Sequence, residues 1–282
     1  MTLLLACAAC VLAGTFGSMV GLGGGLVIIP VLSQVLGYDI KATIAASLIG
    51  VIAGSIGASP RFLAAGLVDR RIAVTLLIAT VAGGLTGGLT ASYLDERVLG
   101  FLFATLLLLV ALHMARELRR SAGRARPAAI DGQLDASDEP RAGSSFDTHY
   151  LDPRTGEVTP YSVSRLGPAF GVSFVAGNVS GLLGVGGGVI NVPTMTTLMG
   201  VPLRVATTTS TLMLGATAAS SALVSLTGGR LDPLLAAPVV VGVLVGSRLG
   251  AHASMAVSAG VLRLLFVVVA LVFAGQMYLR LA

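Results

Sequence analysis

Two glycine-rich elements are the feature of this sequence that points most directly to a chemical role. The first reads GLGGGLVIIP from Gly21 to Pro30, and the second reads GVGGGVINVP from Gly184 to Pro193. Three consecutive glycines destabilise a helix by about 1 kcal/mol each, so an apolar helix is expected to break at each element. The helix that starts after each break presents N–H groups without intrahelical partners at its positive dipole end, which attracts anions. We therefore predict that two helix starts face one small anion, through Gly23, Gly24, Gly25, Gly186, Gly187 and Gly188.

Neutral polar side chains around the second element are candidates for further contacts with that anion. Asn178 and Asn191 stand in apolar stretches, where an unpaired amide is costly. Thr207, Thr208 and Ser210 belong to a run of hydroxyls, although membrane threonines often only bond a carbonyl one turn earlier. The corresponding run of the first half is IAAS, so the predicted site is weighted towards the second half.

Arg248, in the sequence VGSRLGAH, has two interpretations. Its side chain either reaches the membrane interface along its apolar stem or faces the anion as a fixed positive charge. We keep it among the candidate site residues.

The glycine elements and the whole chain have other possible interpretations. Consecutive glycines in membrane helices also serve as close-packing surfaces. A dinucleotide-binding fingerprint fits poorly, because Leu26 and Val189 stand where its last glycine belongs. A phosphate-binding P-loop is excluded, because no Gly-Lys-Ser/Thr sequence follows either glycine element. An intramembrane enzyme is not expected, since there are three histidines, no HExxH motif and no paired membrane aspartates. We predict neither an enzyme nor a bound cofactor or metal.

The composition indicates a polytopic membrane protein. Of 282 residues, 55% are hydrophobic and 11% are charged, and residues 1–38 carry no charged side chain. Long charge-free runs recur along the chain and add up to eight to ten crossings at about 20 residues each. The net charge of +5 comes mostly from arginines at the ends of these runs, which indicates anchoring in the bilayer and not nucleic-acid binding.

An internal repeat organises the chain. A constant shift of 163 residues places Gly14 to Met114 on Gly177 to Met277 without a gap, with both glycine elements in register. Such repeats with interrupted helices in corresponding places are typical of transporters whose site lies between the halves. We predict an all-α polytopic membrane fold of two homologous halves, each with four to five transmembrane segments and a glycine-broken or re-entrant helix, arranged as an inverted repeat. The predicted divisions are residues 1–117, 118–165 and 166–282.

The polar stretch at 118–165 has no counterpart in the repeat. It follows a dense arginine cluster, so we predict that it is cytoplasmic and dispensable for the membrane fold. Its later part has two short aromatic or β-branched runs around Pro153 to Gly156, which predict a small hairpin. A lone hairpin is marginal in water, so it should lean on the membrane body or on a second copy.

The paired Gly-x-Gly-Gly-Gly-x4-Pro elements, the duplication and the polar central loop resemble the TauE/SafE family of membrane transporters. The resemblance covers nearly the whole chain outside residues 121–164. It implies transport of small sulfur-containing anions such as sulfite and organosulfonates, often outward, by a secondary mechanism in a prokaryotic inner membrane. The family motif falls on Gly21, Gly23 to Gly25 and Pro30, and on Gly184, Gly186 to Gly188 and Pro193.

Export is the direction that the electrical potential favours. No predicted span contains a central carboxylate for a proton relay, and the potential alone contributes about 2.3 kcal/mol per charge per 100 mV to an anion that leaves the cell. Two alternatives stay open: an importer of a different small anion, and a structural or assembly protein of the membrane that transports nothing. The expected partners are the sulfur oxyanion and the lipid bilayer, with a homodimer as a further option.

Overall fold

The computed structural model describes residues 2–21, 23–123, 148–151, 158–253 and 259–281. These residues fold into a helical bundle with one pair of short strands. The helices of the first half are α1 (Thr2–Val20), α2 (Gly25–Pro30), α3 (Ile40–Ala64), α4 (Arg70–Tyr93) and α5 (Glu96–Gly123). Those of the second half are α6 (Leu166–Leu183), α7 (Gly188–Pro193), α8 (Leu203–Thr227), α9 (Pro233–Ala253) and α10 (Ala259–Leu281). One π-helical turn prolongs α2 (Val31–Val35) and another prolongs α7 (Thr194–Leu198).

Aspartates start several of the long helices. The Asp39 carboxylate accepts hydrogen bonds from the backbone N–H groups of Lys41 and Ala42 at the start of α3. Asp69 caps α4 in the same way, and its repeat equivalent Asp232 accepts a hydrogen bond from the backbone N–H of Leu234 at the start of α9. Such caps satisfy N–H groups that have no partner within the helix.

The first helix of each half packs on the fourth helix of the other half. Helix α1 lies along α9, where a Cβ added at Gly242 would be 2.6 Å from the Cys7 carbonyl oxygen. Helix α6 lies along α4, where Gly177 touches the backbone of Thr80. Only glycine permits backbones to approach this closely, which is the usual role of small residues between membrane helices.

The equivalent helices α3 and α8 contact each other and run antiparallel. The Thr208 hydroxyl, near the start of α8, donates to the carbonyl of Leu67, just beyond the end of α3. At the opposite end of the bundle, Lys41 at the start of α3 and Arg230 just beyond α8 line one cavity. We call these two ends the strand end (Leu67, Asp69) and the Lys41 end.

The arms α1 and α2 also run antiparallel, so the chain turns back at the first glycine element. Gly24 lies against the Ala13 carbonyl, while Leu32, about two turns further on, shares a buried cluster with Ala6 and Cys10. Both ends of this helical hairpin therefore lie at the same end of the bundle.

Six helices of the described chain are long and apolar enough to cross a membrane, and three shorter apolar helices accompany them. The six are α3, α4, the Glu96–Arg116 part of α5, α6, α8 and α9, and the shorter three are Ala6–Met19, Gly25–Val35 and Val267–Leu279. The count differs from the eight to ten crossings expected from the sequence. The glycine elements divide the long apolar runs that contain them, such as the uncharged residues 1–38, into shorter helices.

The predicted hairpin is present as two strands, β1 (Thr148–Leu151) and β2 (Val158–Tyr161), which pair antiparallel with Thr148 opposite Tyr161. Its turn at Pro153 to Gly156 lies outside the described residues. The strand pair leans on the helical bundle, since Tyr161 and Val163 belong to a buried cluster with Leu67.

Candidate functional site

Both glycine elements adopt a backbone conformation that interrupts the helix. In the first element φ is 75° at Gly21, 76° at Gly23 and 78° at Gly24, and in the second Gly184, Gly186 and Gly187 have values of 70°, 90° and 74°. This left-handed region is open to glycine and strained for other residues. The predicted helix breaks are confirmed at both elements.

The two breaks cross in the middle of the bundle. A Cβ added at Gly25, the first residue of α2, would lie 2.6 Å from the carbonyl oxygen of Gly184. Its equivalent Gly188, the first residue of α7, touches the carbonyl oxygen of Gly21. Each half thus places the start of its short helix against the break of the other half. We call this contact the crossing, and define it by Gly21, Gly25, Gly184 and Gly188.

Backbone N–H groups are left over at both helix starts. The Gly24 carbonyl accepts hydrogen bonds from the N–H groups of Val27 and Ile28, and the Gly187 carbonyl accepts those of Ile190 and Asn191. The N–H groups before them in α2 and α7 have no acceptor within their own helix. Gly25, Leu26 and Gly188, which carry three of these donors, are buried. The crossing therefore concentrates hydrogen-bond donors inside the protein.

A pair of equivalent serines stands beside the crossing in different states. Ser47 donates from its Oγ to the Gly184 carbonyl at 2.9 Å. Its repeat equivalent Ser210 is fully buried, and its Oγ has no hydrogen-bond partner among the described residues. The Ser210 Oγ lies 3.1 Å from the place a Cβ would take on Gly188. An unsatisfied buried hydroxyl beside a helix start is suited to a ligand or a water molecule.

Asn191, on the short helix α7, carries another buried polar atom without a partner in the described chain, an amide oxygen that accepts hydrogen bonds. It is 1% exposed, and its Oδ1 has no hydrogen-bond partner among the described residues. The equivalent residue of the first half, Ile28, needs no partner and packs against Gly50. The unsatisfied polar atoms beside the crossing therefore belong to the second half among the described residues.

Sequence reasoning missed Ser180. This serine is 1% exposed, its Oγ also lacks a partner within the described chain, and its Cβ is 3.5 Å from the place a Cβ would take on Gly187. Its repeat equivalent is Gly17, which touches the backbone N of Gly24. The exchange of glycine for serine between two aligned elements was the signal available in the sequence.

Several other predicted site residues have partners away from the crossing. Asn178 donates from its Nδ2 to the Thr86 hydroxyl at 3.1 Å and so joins α6 to α4. Thr207 and Thr208 both donate to the Arg204 carbonyl in their own helix, although the Thr207 backbone lies against Gly21. Arg248 is exposed on α9. The structure thus brings the six glycines, Asn191 and Ser210 together and leaves the side chains of Asn178, Thr208 and Arg248 outside that group.

Comparison with known proteins identifies the family to which the chain belongs. The model of the family described as "Sulfite exporter TauE/SafE" matches residues 6–277. The probable membrane transporter protein YunE of Bacillus subtilis is 27% identical over 248 residues, which is 85% of this chain and 84% of that protein. The probable membrane transporter protein MJ0441 of Methanocaldococcus jannaschii is 23% identical over 186 residues, 64% of this chain and 56% of that protein. No solved structure matches the chain. The chain belongs to the TauE/SafE sulfite exporter family and is a multi-pass membrane transporter, not an enzyme.

Proposed function

We propose that this transporter exports a small sulfur-containing oxyanion, sulfite or an organosulfonate, by a secondary mechanism. The observation that carries the proposal is the crossing, where two helix starts with N–H groups unpaired in their own helices meet beside the unsatisfied hydroxyl of Ser210. The family description supplies the class of substrate. Backbone N–H groups at helix starts are a general solution for holding oxyanions.

The donors of the proposed site are neutral, which suits release as well as binding. The backbone N–H groups of the crossing, the Nδ2 group of Asn191 and the hydroxyls of Ser180 and Ser210 carry no formal charge. At this buried position, where salt does not screen, a pair of full positive charges would hold an oxyanion more tightly than a carrier can tolerate. The membrane potential then drives the anion outward, with about 2.3 kcal/mol per charge per 100 mV.

The proposed membrane topology is an inverted repeat. The antiparallel course of the equivalent helices α3 and α8 supports this topology. So does the hairpin of α1 and α2, because a chain that turns back at the glycines crosses the membrane an even number of times or not at all. Each half then crosses an odd number of times, so the second half enters from the opposite side. Carriers built on inverted pairs alternate access by rocking one repeat against the other around a fixed site.

The distribution of charge supports a cytoplasmic strand end. Arg61, Arg70, Arg71 and Arg204 flank helix termini there, accompanied by Asp69. At the Lys41 end, the charges are mixed: Asp39, Lys41, Asp95, Glu96, Arg97, Arg230 and Asp232. An excess of arginine marks the cytoplasmic side. The polar stretch 118–165 would then be cytoplasmic and the membrane an inner membrane.

The test is flux of isotope-labelled sulfite from proteoliposomes that contain the purified protein. We expect saturable efflux that a positive-outside potential accelerates and that Gly187→Val abolishes, because valine strains a φ of 74° and covers the N–H groups. The matched control is Gly275→Val, at a glycine of α10 where no atom lies within 4 Å of an added Cβ. Absence of sulfite and organosulfonate flux from folded wild-type protein would contradict the proposal and would favour either another anion or an assembly role.

A further inference from the structure

A small cavity at the Lys41 end lies outside the crossing. It has a volume of about 10 Å³, enough for one water-sized group, and α3, α4, α5, α6 and α8 contribute to its wall. Three side chains able to donate hydrogen bonds face it: Lys41 at the start of α3, Ser225 near the end of α8 and Arg230 just beyond α8.

Two positive charges therefore share one cavity. Arg230 uses its Nη2 for the Ser92 hydroxyl at 2.7 Å, and a guanidinium has further N–H groups that this bond does not use. Neither Lys41 nor Arg230 forms a salt bridge within the described chain. Asp39 and Glu96 lie beside each other at the same end, and Lys41 is close enough to Glu96 to act on its charge, but neither carboxylate is part of the cavity wall.

The cavity reaches towards the crossing. Ile44 forms part of its wall, and the backbone oxygen of the same residue is 3.0 Å from the place a Cβ would take on Gly184. Gly181, one turn before Gly184, is also in the wall. A single layer of residues separates the two cations from the second glycine break.

The repeat equivalents at the strand end do not reproduce this arrangement. Lys41 corresponds to Arg204, whereas Ser225 and Arg230 correspond to Phe62 and Leu67, which are apolar and 6% exposed each. The arrangement of two cations and a hydroxyl is thus specific to one end of a repeated structure, and the common fold of the halves does not explain it.

We propose that Lys41, Ser225 and Arg230 form an anion subsite at the Lys41 end, where one oxygen of a small oxyanion enters the cavity and the rest of the anion stays in the aqueous mouth beyond it. The sidedness of this subsite rests on the proposed function, in which the Lys41 end faces outward. Two cations at an aqueous mouth attract an anion with a strength that salt screens, so occupancy is brief and the anion leaves easily. An exported anion would bind this subsite last, before its release into the aqueous phase.

Sided kinetics test the subsite. Sulfite exchange is measured in right-side-out and in everted membrane vesicles, with sulfite varied on the accessible face. For Lys41→Gln and Arg230→Gln we expect the KM at the Lys41 face to rise at least about tenfold, as for the loss of a charged hydrogen bond, with the KM at the other face within about twofold. Lys41→Arg keeps the charge and should stay within about twofold of wild type. Arg97→Gln, an exposed cation of the same end, and Arg204→Gln, the repeat equivalent, are matched controls.

A binding measurement separates this inference from the proposed function. Sulfite or sulfate that binds the folded protein raises its Tm in detergent, and the double variant Lys41→Gln/Arg230→Gln should lose that part of the shift. A shift that depends on both cations in a protein without sulfite flux would sustain the subsite and contradict the proposed function. A KM that changes equally at both faces, or normal exchange and an undiminished Tm shift in the double variant, would overturn the subsite.

Discussion

Gly25→Ala tests the crossing with the smallest possible change. The added methyl carbon would sit 2.6 Å from the Gly184 carbonyl oxygen and 3.0 Å from both the Ser47 Oγ and the Val185 Cα, where ordinary contact begins at 3.4 Å. Gly25 has an ordinary helical backbone, so alanine causes no strain of its own there. The neighbours that can move least to make room for the methyl group are backbone atoms of the opposite half. They move only if the two breaks separate.

Overpacking of this kind costs about 1 to 3 kcal/mol. For a protein of this size, that corresponds to a fall of about 2 to 12 °C in Tm, at 2 to 4 °C per kcal/mol. The separation also disturbs the bond between Ser47 and Gly184, so sulfite flux should fall in parallel with stability.

The assay is thermal unfolding in detergent combined with flux in proteoliposomes. Gly275→Ala is the matched control, since nothing lies within 4 Å of its added Cβ; there, alanine should leave Tm unchanged or raise it slightly. A Gly25→Ala protein with wild-type Tm and wild-type flux would refute the close crossing and, with it, the placement of the site.

Three further predictions concern the polar groups and the central stretch. Asn191→Ala should weaken substrate binding by about 1 to 3 kcal/mol, read as a rise in KM with a folded protein; an unchanged KM would remove Asn191 from the site. Tyr161→Phe removes a 2.8 Å hydrogen bond to Asp69 and should lower the free energy of unfolding by about 1 to 3 kcal/mol. Burial, and after it the hydrogen bond to Asp69, raises the pKa of Tyr161 above its ordinary value of 10.0. The difference in the free energy of unfolding between wild type and Tyr161→Phe is therefore constant below pH 10 and declines as pH rises further towards the folded-state pKa. A free-energy difference that grows above pH 10 would contradict this sign. A single cysteine at Asp147→Cys, in a background without Cys7 and Cys10, should resist impermeant thiol reagents added outside intact cells, and rapid labelling would place the stretch on the wrong side.

The repeat made the central architecture predictable from the sequence. Because both glycine elements stand at the same place in each half, their meeting follows from a two-fold arrangement, and φ above 70° at Gly21 and Gly187 is what runs of glycine permit. The fate of individual polar side chains does not follow from the repeat. Asn178 turns to Thr86 on α4 and Thr208 to Leu67 beyond α3, and these choices depend on which helix happens to be adjacent.

The boundary of the central stretch was also beyond sequence reasoning. Composition placed all of residues 118–165 outside the membrane fold, yet Tyr161 and Val163 are buried against the helices and the Ser164 N–H donates to the Met199 carbonyl. Short apolar segments at the end of a polar loop carry too weak a pattern to reveal such packing. The dispensability of the stretch stays a prediction, and Tyr161 to Ser164 should be kept in any shortened variant.

The exchange of first helices between the halves has a consequence for biosynthesis. Helix α1 is made first, but α9, which packs its glycines on the face of α1 that holds Cys7 and Val11, begins only at residue 233. Until then, α1 must wait in the bilayer or the insertion machinery with that face uncovered. Helix α6, in contrast, is synthesised after α4, so it can pack on α4 as soon as it is inserted. Substitutions on the α1 face of α9, such as at Gly246 or Gly250, should therefore lower the yield of inserted protein more than changes at their repeat equivalents Gly83 and Gly87, which act on a contact that forms as soon as α6 is made.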